Sequence, residues 1–160
     1  MDKGSYGRKD RLIKEKRHDT YQARGKWPEP TICTKCRALF VNGRWSWQKL
    51  PDETNETICP ACRRMTDNYP AGYVEIKGTF FSEHRDEITN LVLNVERRES
   101  SQHPLERIIS ITGGDDHTLI TTTGLHLARR IGQALSSACK GELSVQYGEA
   151  EHVIRVSWKR

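Results

Sequence analysis

Cys33-Thr34-Lys35-Cys36 and Cys59-Pro60-Ala61-Cys62, with 22 residues between them, decide how the first folded part of this chain is built. A Cys-x-x-Cys turn aims two sulfurs at one point, and a second turn of the same kind completes a tetrahedron of thiolates, the arrangement Zn²⁺ takes in structural sites. The alternative, two redox dithiols, needs a thioredoxin-like βαβ setting that the flanking residues do not supply. With Cys33, Cys36, Cys59 and Cys62 all committed to the ion, no position is left for water, so the expected Zn²⁺ is structural rather than catalytic. The fifth cysteine, Cys139, continues an apolar stripe and reads as a core thiol.

Between the two pairs, Leu39-Phe40-Val41-Asn42-Gly43-Arg44-Trp45-Ser46-Trp47 reads as a β-hairpin, because Asn-Gly supplies the two positive φ angles of a type I′ turn. Residues 28–70 are therefore expected to form a four-cysteine zinc ribbon. Trp45 and Trp47 share one face of their strand. Either can cover the metal site, or one of them, flanked by Arg44 and Lys49, can offer a nucleobase a surface to stack on. Lys35, Arg37, Arg63 and Arg64 sit at the metal knuckles and are candidate phosphate contacts.

Upstream, residues 1–27 hold nine Lys or Arg against four Asp or Glu, which accounts for the whole formal charge of +5. Leu12 and Ile13 are their only sizeable aliphatic side chains, too little burial to offset the entropy of ordering, so a basic disordered tail is expected there. Arg8, Lys9, Arg11, Lys14, Lys16 and Arg17 are its candidate contacts with a polyanion. Trp27-Pro28-Glu29-Pro30 marks the tail's end, since each proline holds the residue before it in an extended conformation. The longest apolar run, Ala38 to Val41, is far too short to span a membrane, and the first residues form no export signal. A cytoplasmic protein without a membrane partner is expected.

Downstream of the Asn68-Tyr69-Pro70-Ala71-Gly72 break, residues 71–160 alternate strands with two amphipathic helices. Tyr73 to Phe81 alternates as a half-buried strand; Ser82 then offers a cap to a helix with Ile88, Leu91, Val92 and Val95 on one face, running to about Glu99. Glu106–Thr112 and Thr118–Thr123 flank Gly113-Gly114-Asp115-Asp116 as a hairpin. Leu125, Ala128, Ile131, Leu135 and Cys139 form a second helical stripe closed by Gly141, and Glu142–Tyr147 and His152–Trp158 are the last strands. The order βαββαβ with one extra strand predicts an α+β fold: a ferredoxin-like antiparallel sheet with both helices on one face.

Two groups of residues carry possible chemistry in this half. Asp115-Asp116-His117 is either a divalent-metal site or a solvated turn. Thr121 to Thr123, His126, Arg129 and Arg130 surround the start of the second helix, where amides, hydroxyls and guanidinium groups together can hold phosphate. Alternatively, Thr122 or Thr123 is a helix cap and the arginines pair with Glu96, Glu99 or Glu142. A GxxxxGK[ST] phosphate loop is absent, which weighs against nucleotide hydrolysis.

The two Cys-x-x-Cys pairs, Cys59-Pro60-Ala61-Cys62-Arg63-Arg64, the run Thr121-Thr122-Thr123-Gly124-Leu125-His126-Leu127-Ala128-Arg129-Arg130-Ile131-Gly132, Lys140-Gly141-Glu142-Leu143 and Arg155-Val156-Ser157-Trp158-Lys159-Arg160 together resemble the nonsense-mediated mRNA decay protein three family. Its members are zinc-containing factors of the large ribosomal subunit, best known as that subunit's nuclear export adaptor. The likeness covers residues 31–160 and is nearer to the short prokaryotic members. Long members carry four Cys-x-x-Cys pairs, additional β domains and export signals, none of which fits here, so the resemblance implies ribosome binding without nuclear export. The expected function is a noncatalytic factor that binds ribosomal RNA on the large ribosomal subunit, with ribosomal proteins as possible further partners. A metal-dependent nuclease or nucleotidase built on Asp115, Asp116 and His117 or His126, and a zinc-ribbon adaptor for DNA or protein, are the alternatives.

Overall fold

The computed structural model describes residues 21, 27–148 and 152–160, so Arg8, Lys9, Arg11, Lys14, Lys16 and Arg17 lie outside the described residues. Within them the chain is α+β, with two sheets and four helices.

The first sheet is small. Strands β1 (Thr31–Cys33), β2 (Leu39–Val41), β3 (Arg44–Ser46) and β4 (Asn55–Thr57) lie in the order β3-β2-β1-β4. Asn42 at φ 55° and Gly43 at φ 77° join β2 to β3, as the Asn-Gly pair implied. Strand β4 runs parallel to β1, pairing Cys33 with Thr57, and so brings Cys59 to the end of β1 where Cys33 lies. Helix α1 (Pro60–Asp67) follows at once: Pro60 opens it, the Cys59 sulfur accepts the Cys62 amide as its cap, and Asn68 at φ 48° closes it.

The second sheet holds β5 (Gly72–Lys77), β6 (Ile108–Gly113), β7 (His117–Thr122), β8 (Glu142–Gly148) and β9 (Val153–Lys159) in the order β6-β7-β5-β9-β8. Register aligns Val74 with Ile120 and Val156, and Ile76 with Trp158. Those side chains therefore share one face, which α3 (Arg85–Gln102) and α4 (Leu125–Cys139) cover with Ile88, Val92 and Val95 from one helix and Leu127, Ala128, Ile131 and Leu135 from the other. Helix α4 lies so close to β9 that a Cβ on Gly132 would fall 2.6 Å from Val156 Cγ1.

Two expectations are corrected. The sheet is mixed rather than antiparallel: β9 lies between β5 and β8 and runs parallel to β5. Composition explains the placement. Val153, Ile154, Val156 and Trp158 of β9 are all buried, whereas β8 is exposed along most of its length, so the apolar strand takes the covered slot and the polar one the edge. The first strand also ends at Lys77 instead of Phe81. Gly78, at φ 114° with the Arg160 backbone against it, breaks the strand, and Phe80 and Phe81 fall in a short helix α2 (Thr79–Glu83). Ser82 lies inside α2 and caps nothing; His84 separates α2 from α3.

Candidate metal centre and adjoining cleft

The four cysteines named from spacing converge. One ligand atom from each of Cys33, Cys36, Cys59 and Cys62 lies within 4.8 Å of all the others, and Cys33 Sγ to Cys62 Sγ and Cys36 Sγ to Cys59 Sγ are both 3.7 Å. A disulfide needs about 2.05 Å. A tetrahedron with metal–sulfur bonds of about 2.3 Å has edges of about 3.8 Å, so the set is spaced as a four-thiolate cage for one metal ion.

Local backbone holds the cage open. In the first knuckle Arg37 takes φ 69°, which returns its amide to the Cys33 carbonyl at 3.0 Å, while the Cys36 amide points at Cys33 Sγ at 3.5 Å. In the second, the Cys62 and Cys59 amides point at Cys59 Sγ (3.4 Å) and Cys33 Sγ (3.3 Å). Cys36 and Cys59 lie within hydrogen-bond distance of each other, and their thiols shift in opposite directions. The hydrogen bond with Cys59, chiefly, holds Cys36 down to about 4, and that same bond, then burial, pushes Cys59 up. Burial also raises Cys62. Three of the four sulfurs are buried and Cys36 is half-buried; a bound cation favours the thiolate form of the whole set, so metal binding releases protons.

One cation reaches the sulfurs from the other half of the molecule. Arg107, just before β6, donates Nη2 to Cys62 Sγ (3.2 Å) and Cys59 Sγ (3.4 Å). Burial works against its charge, and the Cys62 sulfur, by hydrogen bond and by field, more than offsets this. Its backbone is anchored through its amide, which donates to Thr123 Oγ1 at 2.9 Å, and its carbonyl, which accepts from the Thr123 amide at 2.8 Å. Arg107 went unremarked in the sequence because its sulfur partners are 45 and 48 residues away. Nothing local distinguishes it from any arginine entering a strand.

The nucleic-acid candidates divide. Lys35, Arg37 and Arg63 are set around the cage and all three are exposed; Lys35 Nζ donates to Thr66 Oγ1 at 2.7 Å, and Arg63 Nε to the Ile58 carbonyl at 3.0 Å. Arg64 is a correction. It is buried, its guanidinium lies 4.3 Å from the Tyr21 ring centre, and it donates to the Tyr69 carbonyl, so it packs α1 rather than meeting phosphate. Trp45 is also buried, set against Phe40 and Trp27. Trp47 is 44% exposed, but its indole N–H is committed to the Ser100 carbonyl at 2.6 Å.

At the start of α4, Thr122 is fully buried and donates to the Gly124 carbonyl, while Thr123 donates to the Leu105 carbonyl. Neither hydroxyl faces a ligand, which removes Thr122 as a phosphate contact. Glu106 caps the helix instead, its Oε2 accepting the Leu127 amide at 3.0 Å. That carboxyl is 8% exposed, and burial raises its pKa against the lowering effect of the Leu127 amide. His126 and Arg130 remain exposed; Arg130 pairs with Glu99 at 3.5 Å, and Arg129 approaches the Tyr147 hydroxyl. Asp115 is taken by Arg85 at 2.8 Å and His117 faces Glu75, and among the described residues only the four cysteines cluster as metal ligands.

Distant candidates come together at one place. Arg44 and Trp45, from the β2–β3 hairpin, and His126, Arg129 and Arg130, from α4, line a single cleft of about 540 Å³ along the seam between the two halves of the molecule. Leu105 and Glu106 form part of its wall. Among the described residues no helix is long and apolar enough to cross a membrane. Comparison with family models, curated proteins and solved structures finds no match in any of the three.

Proposed function

We propose that the chain is a noncatalytic, zinc-holding factor that binds ribosomal RNA on the large ribosomal subunit in the cytoplasm, with ribosomal proteins as further contacts. The observation that carries this reading is the convergence of Arg44, His126, Arg129 and Arg130 on one cleft, beside a thiolate cage ringed by Lys35, Arg37 and Arg63. Cations drawn from two distant parts of a chain into one groove suit a folded polyanion better than a solvated surface does. The basic excess of residues 1–27 adds reach and affinity without specificity. Zinc is the ion read into the cage, because four thiolates in a tetrahedron suit a borderline-soft ion without a redox role. In this reading residues 28–70 form the ribbon, and residues 71–160 form a variant of the ferredoxin-like arrangement in which β9 is inserted beside β5.

Particle fractionation tests the proposal. The full chain is expected to sediment with large ribosomal subunits at low salt and to leave them as salt rises. Arg129→Ala is expected to weaken that association without moving the melting temperature. Sedimentation with free DNA or polymerase, and not with ribosomal particles, would overturn the reading.

A further inference from the structure

The cleft at the seam contains a feature that a phosphate-binding groove does not need. Glu106 is buried in its wall, and among the described residues its carboxylate accepts a single hydrogen bond, from the Leu127 amide to Oε2. Neither carboxylate oxygen is a fully buried orphan, so the oxygen not held by Leu127 opens to the cleft, where a donor can reach it. Phe40, Trp45 and His126 line the same cleft; the first two are mostly buried against each other, and His126 is exposed. Arg44 and Arg129 lie at the margin, and Arg44 is exposed with no side-chain partner among the described residues. The cleft's volume of about 540 Å³ falls within the range of small-ligand sites.

We propose that this cleft binds a guanine nucleotide, either an unpaired guanosine within RNA or the free 5′-monophosphate. The chemistry is specific. Guanine alone among the common bases presents two adjacent donors, N1–H and N2–H, on its Watson–Crick edge, and a carboxylate accepts both. Adenine offers one donor beside an acceptor, which would set a lone pair against the Glu106 oxygen. Arg44 and Arg129 supply the cations for the phosphate, and the exposed His126 ring takes the face of the base, as unpaired RNA bases are held elsewhere. The RNA form rests on the function proposed above; the free-nucleotide form stands independently of it.

Isothermal titration of the zinc-loaded full chain with GMP and with AMP provides the test, together with unpaired uridine-rich hexamers carrying one G or one A. GMP should bind at least about tenfold more tightly than AMP, the loss expected when a buried polar group goes unpaired. The G-containing hexamer should show the same preference. In Glu106→Gln the side-chain oxygen still accepts the Leu127 amide, so the fold is kept while one acceptor becomes a donor; the preference should fall to within about twofold. Arg129→Ala should weaken GMP and AMP alike and leave guanosine unchanged. Equal binding of GMP and AMP, or an undiminished preference in Glu106→Gln, overturns the proposal. If the hexamers bind without base preference, the guanine site fails and RNA binding stands. If GMP binds selectively and neither hexamer binds, the site stands and the RNA reading fails.

Discussion

Arg107 carries a guanidinium into the interior and meets sulfur at 3.2 and 3.4 Å. Such a donor lowers the electron density of a thiolate cage and offsets one of the two negative charges left over when four thiolates hold one divalent ion. Arg107→Ala should therefore speed metal loss to a competing chelator by about 10- to 100-fold, with Arg107→Lys intermediate because a point charge replaces a fork. Cys59→Ser should remove the bound metal equivalent, whereas Cys139→Ser should leave metal content unchanged, since Cys139 packs against the other core. Glu106 responds to pH with the opposite sign from a salt-bridged carboxylate. Burial raises its pKa, so the folded chain holds this proton more tightly than the unfolded chain. Its contribution to stability is present at low pH and is lost as pH rises through the folded pKa. At neutral pH Glu106→Gln should accordingly be no less stable than wild type in urea. Its advantage should shrink as pH falls through the usual carboxylate range toward about 4.

At the scale of elements, α4 was the most legible piece of the chain. Leu125, Ala128, Ile131, Leu135 and Cys139 recur at helical spacing, and Ala128, Ile131 and Leu135 are fully buried. The Asn42-Gly43 hairpin was equally plain, because two positive φ angles are a local requirement that few residues meet. Helix α1 was not legible: it has eight residues and its cap is a metal-ligand sulfur, a residue not counted among helix starters. Phe80 and Phe81 read as strand because they continue the alternation that starts at Tyr73, and only contact with Arg160 shows why they turn. The Phe80 amide donates to the Arg160 carbonyl at 2.9 Å, with the Arg160 guanidinium over the Phe80 ring. The position of β9 does not follow from the order of elements, which leaves open which strand of the β8–β9 hairpin lies beside β5; the more apolar composition of β9 decides it. Gly132 tests how tightly that layer is closed. Gly132→Ala places a methyl group against Val156, and overpacking of this kind should cost about 1–3 kcal/mol in urea unfolding, outweighing the gain in helix propensity.

For the whole molecule, the two halves have separate cores but share a boundary. One core centres on Trp45 and the cysteines and the other on Ile120, Ile131 and Trp158, with Leu105 and Trp27 packed against the first. Stripping the metal should abolish hydrogen-exchange protection at the Cys33 and Cys62 amides while Val74, Ile120 and Val156 stay protected, because structural zinc contributes on the order of 10–16 kcal/mol to comparable small modules and the larger core holds without it. Deleting residues 1–26 should flatten the dependence of log K on log salt for RNA by several units, at about 0.7–0.9 per lost phosphate contact. Arg107 gives the boundary one more property. The same guanidinium that touches Cys59 and Cys62 leaves the chain beside Glu106, so whatever draws the two halves together steadies both the cage and the cleft wall. Thermodynamic reciprocity then applies: an occupant of the cleft must tighten the hold on the ion by the factor by which the ion tightens the hold on the occupant. Metal supply would in that case act as a gain control on ligand binding, set by one hydrogen-bonded arginine instead of by a moving domain.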